Sequence, residues 1–169
     1  GKTLVSASEM VGKLKAAVDT RVDQDTLIIA RTDAIAVEGF ECALERAEKY
    51  LEAGADVLFV EAPENRDQME KMNLQFSGRV PLLANMVEGG KTPISGADDL
   101  EELGYSIVIF PGGTVRAVSF AMQEYLGQLK KTGSTDLWRN RMFDFGGFND
   151  LIGTPEMLAK GERYADPKD

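Results

Sequence analysis

The sequence predicts a parallel α/β fold, and three observations carry that reading. Short apolar bursts run continuously rather than in alternation, as strands do when helices cover both faces. The stretches between them repeat apolar residues at three- and four-residue spacing, the period of a helix with one buried face. The two patterns alternate along the chain, and that order builds a parallel sheet with right-handed crossovers.

Each element has its own signal. Met10, Leu14, Ala17, Val18 and Arg21 form a helical stripe ahead of the first strand, which is read at 27–30 (Leu-Ile-Ile-Ala). Phe40, Ala43, Leu44, Ala47, Tyr50 and Leu51 make the next helix, with Gly54 as its C-terminal cap. Cys42 stands among those apolar residues and is expected in the core. A second strand is read at 57–60 and a weaker third at 80–84, where Pro81 fits only a strand start or edge. A short helix at 98–103 closes on Gly104, and the fourth strand follows at 106–110. Val115, Val118, Met122, Tyr125, Leu126 and Leu129 stripe the last helix of this series. Beyond the polar stretch 130–134 the composition changes, with Trp138, Phe143, Phe145 and Phe148 beside Asp136, Asp144 and Asp150. Thr154-Pro155-Glu156 reads as an N-cap with Pro at the first helical position. Two architectures accept this order: an open doubly wound sheet of about five strands, or half of a (β/α)8 barrel, which needs roughly 250 residues.

Composition narrows the functions. The 169 residues hold 19 Lys and Arg against 28 Asp and Glu, a net charge of −9, so nucleic acid and anionic membrane surfaces are not expected partners. No apolar run approaches the roughly 18 residues that span a bilayer. A single Cys excludes an intramolecular disulfide framework and fits a reducing, cytoplasmic setting. With no His, this chain builds neither a Ser-His or Cys-His nucleophile nor a His-liganded metal site.

In parallel α/β folds the chemistry sits at the carboxyl ends of the strands. There the sequence places Arg31, Thr32 and Asp33 after the first strand, Glu61 after the second, Asn85 after the third, and Pro111, Gly112 and Gly113 after the fourth. Taken singly, Arg31 is either an ion-pair partner of Asp33 or Glu61 or a ligand group, Glu61 a helix-end charge, and Asn85 a turn cap. Together they suggest one polar mouth. Gly112-Gly113-Thr114 before a helix is either a tight turn or an anion seat, where free N–H groups and the helix dipole face a ligand. Arg116, one turn on, can add a charge-assisted bond to a carboxylate. Residues 87–93 form a loop above Asn85, readable as a lid or as a connection.

Five ordered segments then carry a resemblance: 28–34 (IIARTDA), 53–56 (AGAD), 59–62 (FVEA), 81–86 (PLLANM) and 109–114 (IFPGGT). With these the chain resembles the isocitrate lyase/phosphoenolpyruvate mutase superfamily. The resemblance implies a (β/α)8 TIM-type barrel of which residues 1–131 supply the second half, followed by a helical arm, 132–169, swapped onto a neighbouring subunit. It further implies Mg²⁺ (or Mn²⁺), a small carboxylate substrate and a homo-oligomer of paired, helix-swapped dimers. No metal ligand falls within this segment. The family's Cys-Gly-His loop and the Asp residues that hold Mg²⁺ belong ahead of Gly1, so the chain looks like the carboxyl-terminal part of a family member. By the same resemblance, Arg31 clamps a substrate carboxylate. Glu61 lines the pocket as the catalytic acid residue and reaches the Mg²⁺ shell through water. Asn85 donates to a second carboxylate, and Arg116 and Arg141 complete the anion-binding set. Gly112 and Gly113 rest on the anion-seat reading alone. The implied function is Mg²⁺-assisted lysis of a C–C bond in a small 2-hydroxy or 2-oxo di- or tricarboxylate of the methylisocitrate, dimethylmalate or oxaloacetate type. The alternatives are a phosphonomutase acting on a P–C bond, and an inactive fragment that serves only as a binding or assembly module.

Overall fold

Four parallel strands and the helices between them form the first part of the molecule. The computed structural model describes residues 1–93 and 95–165. The chain divides into two packed units, Gly1–Thr114 and the residues from Val115 onward.

The first unit begins with α1 (Ala7–Thr20), whose start is capped by Ser6 accepting from the Glu9 N–H at 3.1 Å. Next come β1 (Ile29–Thr32), the short α2 (Ile35–Glu38) and α3 (Phe40–Glu52). Then follow β2 (Val57–Val60), α4 (Arg66–Phe76), β3 (Leu83–Asn85), α5 (Ala97–Leu103) and β4 (Ile107–Ile109). β1 pairs with β2 and β3 with β4, all parallel, and a single bridge between Leu58 and Leu82 joins the two pairs. Each strand therefore neighbours its predecessor. A doubly wound sheet would reverse its order at a switch point, whereas a barrel winds on as this sheet does.

The strand at 57–60 matches its expected bounds, the first and third shift toward their carboxyl ends, and the fourth shortens by one residue at each end. β1 starts at Ile29 and includes Arg31 and Thr32, which the sequence placed beyond it. Pairing decides this: Arg31 lies opposite Phe59 and Thr32 opposite Val60, so β1 extends as far as its partner does. Two residues ahead of β3 the Pro81 carbonyl accepts from the Leu58 N–H at 3.1 Å, so the proline lies outside the strand, where its missing N–H costs no ladder bond.

Two cores flank the sheet. Ala30, Leu58, Val60, Leu82 and Ala84 point toward the helices, where they meet Leu14, Ala43, Leu44, Ala47, Tyr50, Met69, Met72, Phe76 and Leu100. Val57, Phe59 and Leu83 point the other way and pack with Ile107 and Ile109. The α3 stripe buries as its spacing predicts. Cys42 does not: it is exposed, because it sits one residue ahead of the buried Ala43 and Leu44. The helix α4 escaped the sequence reading, since its buried side is two methionines, an asparagine and a phenylalanine set in a mostly polar run.

The second unit holds most of α6 (Gly113–Thr132), a 3₁₀ turn (Asp136–Arg141), α7 (Phe145–Leu151) and α8 (Thr154–Glu162). Gly153, at φ +73°, caps α8 in place of the expected Thr154, which becomes the first helical residue. Trp138 is buried and meets the Tyr125 ring edge-on, with centroids 5.7 Å apart. Val115, Val118, Met122 and Leu126 along α6 are exposed, as are Phe143, Phe145, Phe148, Leu151 and Ile152. Among the described residues no helix is long and apolar enough to cross a membrane.

The close of α5 provides a test of the packing. Gly104 has φ +106°, and a Cβ there would come within 3.1 Å of Ser77 and 3.2 Å of the buried Asn73 amide oxygen. Gly133 also has positive φ, +67°, but open space around it. Gly133→Ala should cost only the left-handed strain, about 1–2 kcal/mol, and Gly104→Ala distinctly more in urea denaturation. Equal losses would show that Ser77 and Asn73 yield freely.

Candidate functional site

Strand register sets the site. In β2, β3 and β4 the odd-numbered residues point away from the helices, and Arg31, Asp33, Glu61 and Asn85 share that parity. Arg31 opposite Phe59, carried on by two residues, brings Asp33 level with Glu61. Leu58 opposite Leu82, carried on by three, brings Glu61 level with Asn85, which itself faces Ile109. Asp33, Glu61, Asn85 and Ile109 thus form one row at the carboxyl ends of the strands, with Arg31, Phe59, Leu83 and Ile107 in the row below.

Arg31 rises from the lower row. Its guanidinium lies over the Phe59 ring, 4.7 Å from the centroid. Its Nε donates to Asp33 Oδ2 at 2.9 Å and its Nη2 to Asp33 Oδ1 at 3.2 Å, while Nη2 also stands 3.6 Å from Glu61 Oε1. The Lys2 ammonium binds the same Asp33 Oδ1. Hydrogen bonds from Arg31, and then from Lys2, hold the Asp33 carboxyl below the usual carboxylate range. The Asp33 bond, with Glu61 adding to it, raises the Arg31 guanidinium further above its already high value. Arg31 is therefore both the ion-pair partner and the exposed cation: Asp33 grips one edge of the fork, and Nη1 has no partner among the described residues.

Glu61 is held by its neighbours. Its backbone N–H donates to the Thr32 carbonyl at 2.9 Å, and its Oε2 accepts from Asn85 Nδ2 at 3.1 Å. One Asn85 N–H is thus turned onto Glu61, so the residue expected to serve a second substrate carboxylate orients the Glu61 carboxylate instead. Asn85 Oδ1 is buried with no hydrogen-bond partner. Directly after Glu61, Ala62 takes φ +62°, alone among the described non-glycine residues.

Gly112 precedes α6 and Gly113 begins it. A Cβ on Gly113 would come within 3.0 Å of Glu88 Oε1, so the 87–93 loop lays a carboxylate of the chain itself beside the expected anion seat. The other two expected residues belong to the second unit. Arg116 is in the first turn of α6. Arg141 donates to Glu124 Oε2 at 2.9 Å and lies 4.0 Å from the Trp138 ring centroid. Reading the sequence missed Lys2, Phe59 and Ala62. Only pairing 31 residues distant reveals the first, only strand register the second, and backbone sign leaves no mark in residue type for the third.

A grouping of three or more Asp, Glu or Cys side chains that could hold a metal ion does not occur among the described residues. Glu61 alone, already shared between Asn85 and Arg31, suits a contact through a metal-bound water better than direct ligation. Formally the cluster is neutral, with Lys2 and Arg31 set against Asp33 and Glu61.

The phosphoenolpyruvate phosphomutase family profile matches residues 1–130. A 2,3-dimethylmalate lyase of Eubacterium barkeri is 44% identical over 165 residues, covering 98% of this chain and 56% of the lyase. A 2-methylisocitrate lyase of Aeropyrum pernix is 46% identical over 155 residues, covering 90% and 48% respectively. The crystal structure of a phosphonopyruvate hydrolase in complex with oxalate and Mg²⁺ superposes with a TM-score of 0.80 at 29% identity, covering 95% of this chain and 57% of the hydrolase. The chain spans about half the length of the curated relatives it matches.

The site predicts a ranking. Arg31→Lys removes the planar fork, whereas Asp33→Asn keeps one acceptor for Arg31 Nε. In kcat/KM the first should cost about 2–4 kcal/mol and the second less. Equal effects below threefold would leave Arg31 a structural ion-pair partner only.

Proposed function

Since the chain belongs to the phosphoenolpyruvate phosphomutase family, we propose that its protein is a carbon–carbon lyase of small 2-hydroxy or 2-oxo di- or tricarboxylates, of the methylisocitrate, dimethylmalate or oxaloacetate type, acting in the cytoplasm. The observation that carries this reading is the row of Arg31, Glu61 and Asn85 on one face at the strand ends. The open edge of Arg31 clamps a substrate carboxylate, with Phe59 beneath the guanidinium and Asp33 behind it fixing its plane. Glu61, oriented by Asn85, faces the reacting end of the substrate as the acid–base residue. Arg116, Arg141, Gly112 and Gly113 complete the anion-binding set.

Breaking a C–C bond next to an oxygenated carbon puts negative charge on an enolate oxygen. The neutral cluster offers little to offset it, because Arg31 already shares its charge with Asp33 and Glu61. Mg²⁺ or Mn²⁺ would supply that positive charge as a Lewis acid. Phosphonomutase chemistry, moving phosphorus rather than carbon, makes the same demand and is the second reading, favoured by the name of the matching family.

Incubation with methylisocitrate, dimethylmalate, oxaloacetate and phosphonopyruvate, followed by NMR, separates these readings. We expect cleavage of one of the first three with Mg²⁺ and none in excess EDTA. Preferential turnover of phosphonopyruvate would select the second reading, and full turnover in EDTA would remove the metal from the mechanism.

The same proposal covers architecture. Residues 1–131 supply the second half of a (β/α)8 barrel, and Ile29, 46% exposed on the face away from the helices, offers surface for further strands. Residues 132–169 form an arm swapped between subunits, giving dimers that pair into tetramers and bringing Arg141 to a neighbour's site. Support comes from Phe143, Phe145, Phe148, Leu151 and Ile152, all more than half exposed and too apolar to leave in water. Truncation before Asp136 should give a smaller species by light scattering, with reduced activity; an unchanged oligomeric mass would refute the swap.

A further inference from the structure

Resting on the carboxylate-binding role proposed for Arg31, we infer that Lys2 is a positioning residue for that site, acting through Asp33. Lys2 belongs to the segment that precedes α1 and lies far from β1 in sequence. Two fastenings hold the segment at the strand ends. Leu4 packs against the helix-side core. The Val5 carbonyl accepts from Arg46 Nη1 at 3.0 Å, and Arg46 is locked on Glu38 by bonds of 2.7 and 2.8 Å. Between these anchors and β1 runs a groove of about 380 Å³ whose walls include Lys2, Arg31 and Asp33.

The ammonium of Lys2 sits on Asp33 Oδ1, the oxygen that also accepts from Arg31 Nη2. One carboxylate is thus divided between two cations. With Lys2 in place, Asp33 orients Arg31 without cancelling its charge, and the cluster of four stays neutral. Without Lys2, Asp33 acts on Arg31 alone, and the cluster carries one net negative charge in a chain whose total is already −9. An anionic substrate then meets a repelling mouth. Lys2 touches no reacting atom in this scheme; it sets how much of the Arg31 charge the substrate feels.

Oxalate is a suitable probe, since it presents two carboxylates and undergoes no C–C cleavage by this chemistry. Its binding in the presence of Mg²⁺ is measured by calorimetry at roughly 0.02 M and 0.5 M salt, between which the Debye length falls severalfold, for the unsubstituted protein, Lys2→Met, Lys2→Arg and Arg31→Lys. We expect Lys2→Met to weaken oxalate about fivefold at low salt and less at high salt. Its melting temperature should be unchanged, and Lys2→Arg should bind as the unsubstituted protein does. If Arg31→Lys loses affinity and Lys2→Met does not, the role of Lys2 is overturned while that of Arg31 stands. A loss in Lys2→Met that ignores salt, lowers the melting temperature and is not restored by Lys2→Arg marks a structural strap and also overturns it. If the unsubstituted protein binds no oxalate, or Arg31→Lys binds it equally well, the functional reading fails and this inference with it.

Discussion

Everything at the candidate site depends on the register of four parallel strands. Side chains alternate between the faces of a strand, so a slip of one residue would turn Arg31 or Glu61 into the helix layer and bring Thr32 or Val60 out in its place. Nothing in the polar residues themselves guards against this. The guard is apolar: Ala30, Leu58, Val60, Leu82 and Ala84 fit the helix side, and Val57, Phe59 and Leu83 fit the other. The row of Asp33, Glu61 and Asn85 is assembled by the hydrophobic residues packed on the two faces of the strands.

Electrostatic clips then tie α1 to the strand layer and join neighbouring helices of the first unit. Arg21 at the end of α1 reaches Asp56 at 2.7 Å, and that carboxylate also accepts from the Ile28 N–H at 2.8 Å, so the end of the helix and the residues leading into β1 and β2 meet at one oxygen. Arg46 ties α3 to α2 and to the segment before α1; Arg66 joins α4 to α5 through Asp99; Arg79 returns to Glu48 on α3. The exposed pairs among them, Arg66–Asp99 and Arg79–Glu48, contribute little each. Their significance is in distribution: in an acidic chain, these arginines are committed to acidic partners on neighbouring elements. Arg31 is paired as well, yet keeps one edge of its fork turned away from its partners.

What the sequence disclosed and withheld follows from how local each signal is. β2 was legible to the residue because a short burst that is buried on both faces looks the same whatever its neighbours do. β1 was displaced by two residues because its carboxyl end is polar, and only pairing with Phe59 and Val60 makes a strand of Arg31 and Thr32. The α4 helix was lost because Asn73 is buried among methionines, with its Nδ2 bonded to the Met69 carbonyl, a satisfaction no pattern of apolar residues announces. Cys42 was misplaced by a single step around α3, where neighbouring positions differ by about 100°. At the site, Arg31, Glu61 and Asn85 were legible as polar residues closing apolar bursts, but their common level was not. That level is set by spacings between strands, and a loop one residue longer leaves it untouched only if the helix behind it shifts to match.

The backbone at Ala62 shows the cost of that arrangement. Glu61 must end β2 level with Asp33 and Asn85, and Pro63 follows two residues later without an N–H to continue the ladder. The chain turns away in the single residue between, and Ala62 adopts a left-handed conformation that an alanine takes at a cost of about 1–2 kcal/mol. A residue before proline ordinarily stays extended, so local preference does not produce this turn. The strand before it is firmly held: the Glu61 N–H is fixed to Thr32, the Glu61 carboxylate to Asn85, and Val60 to the helix-side core. With Glu61 held in the row, relaxing Ala62 to an extended backbone would redirect the chain from Pro63 onward. The strain is therefore localised on the residue that follows the acid, where the packed strands on either side can hold it.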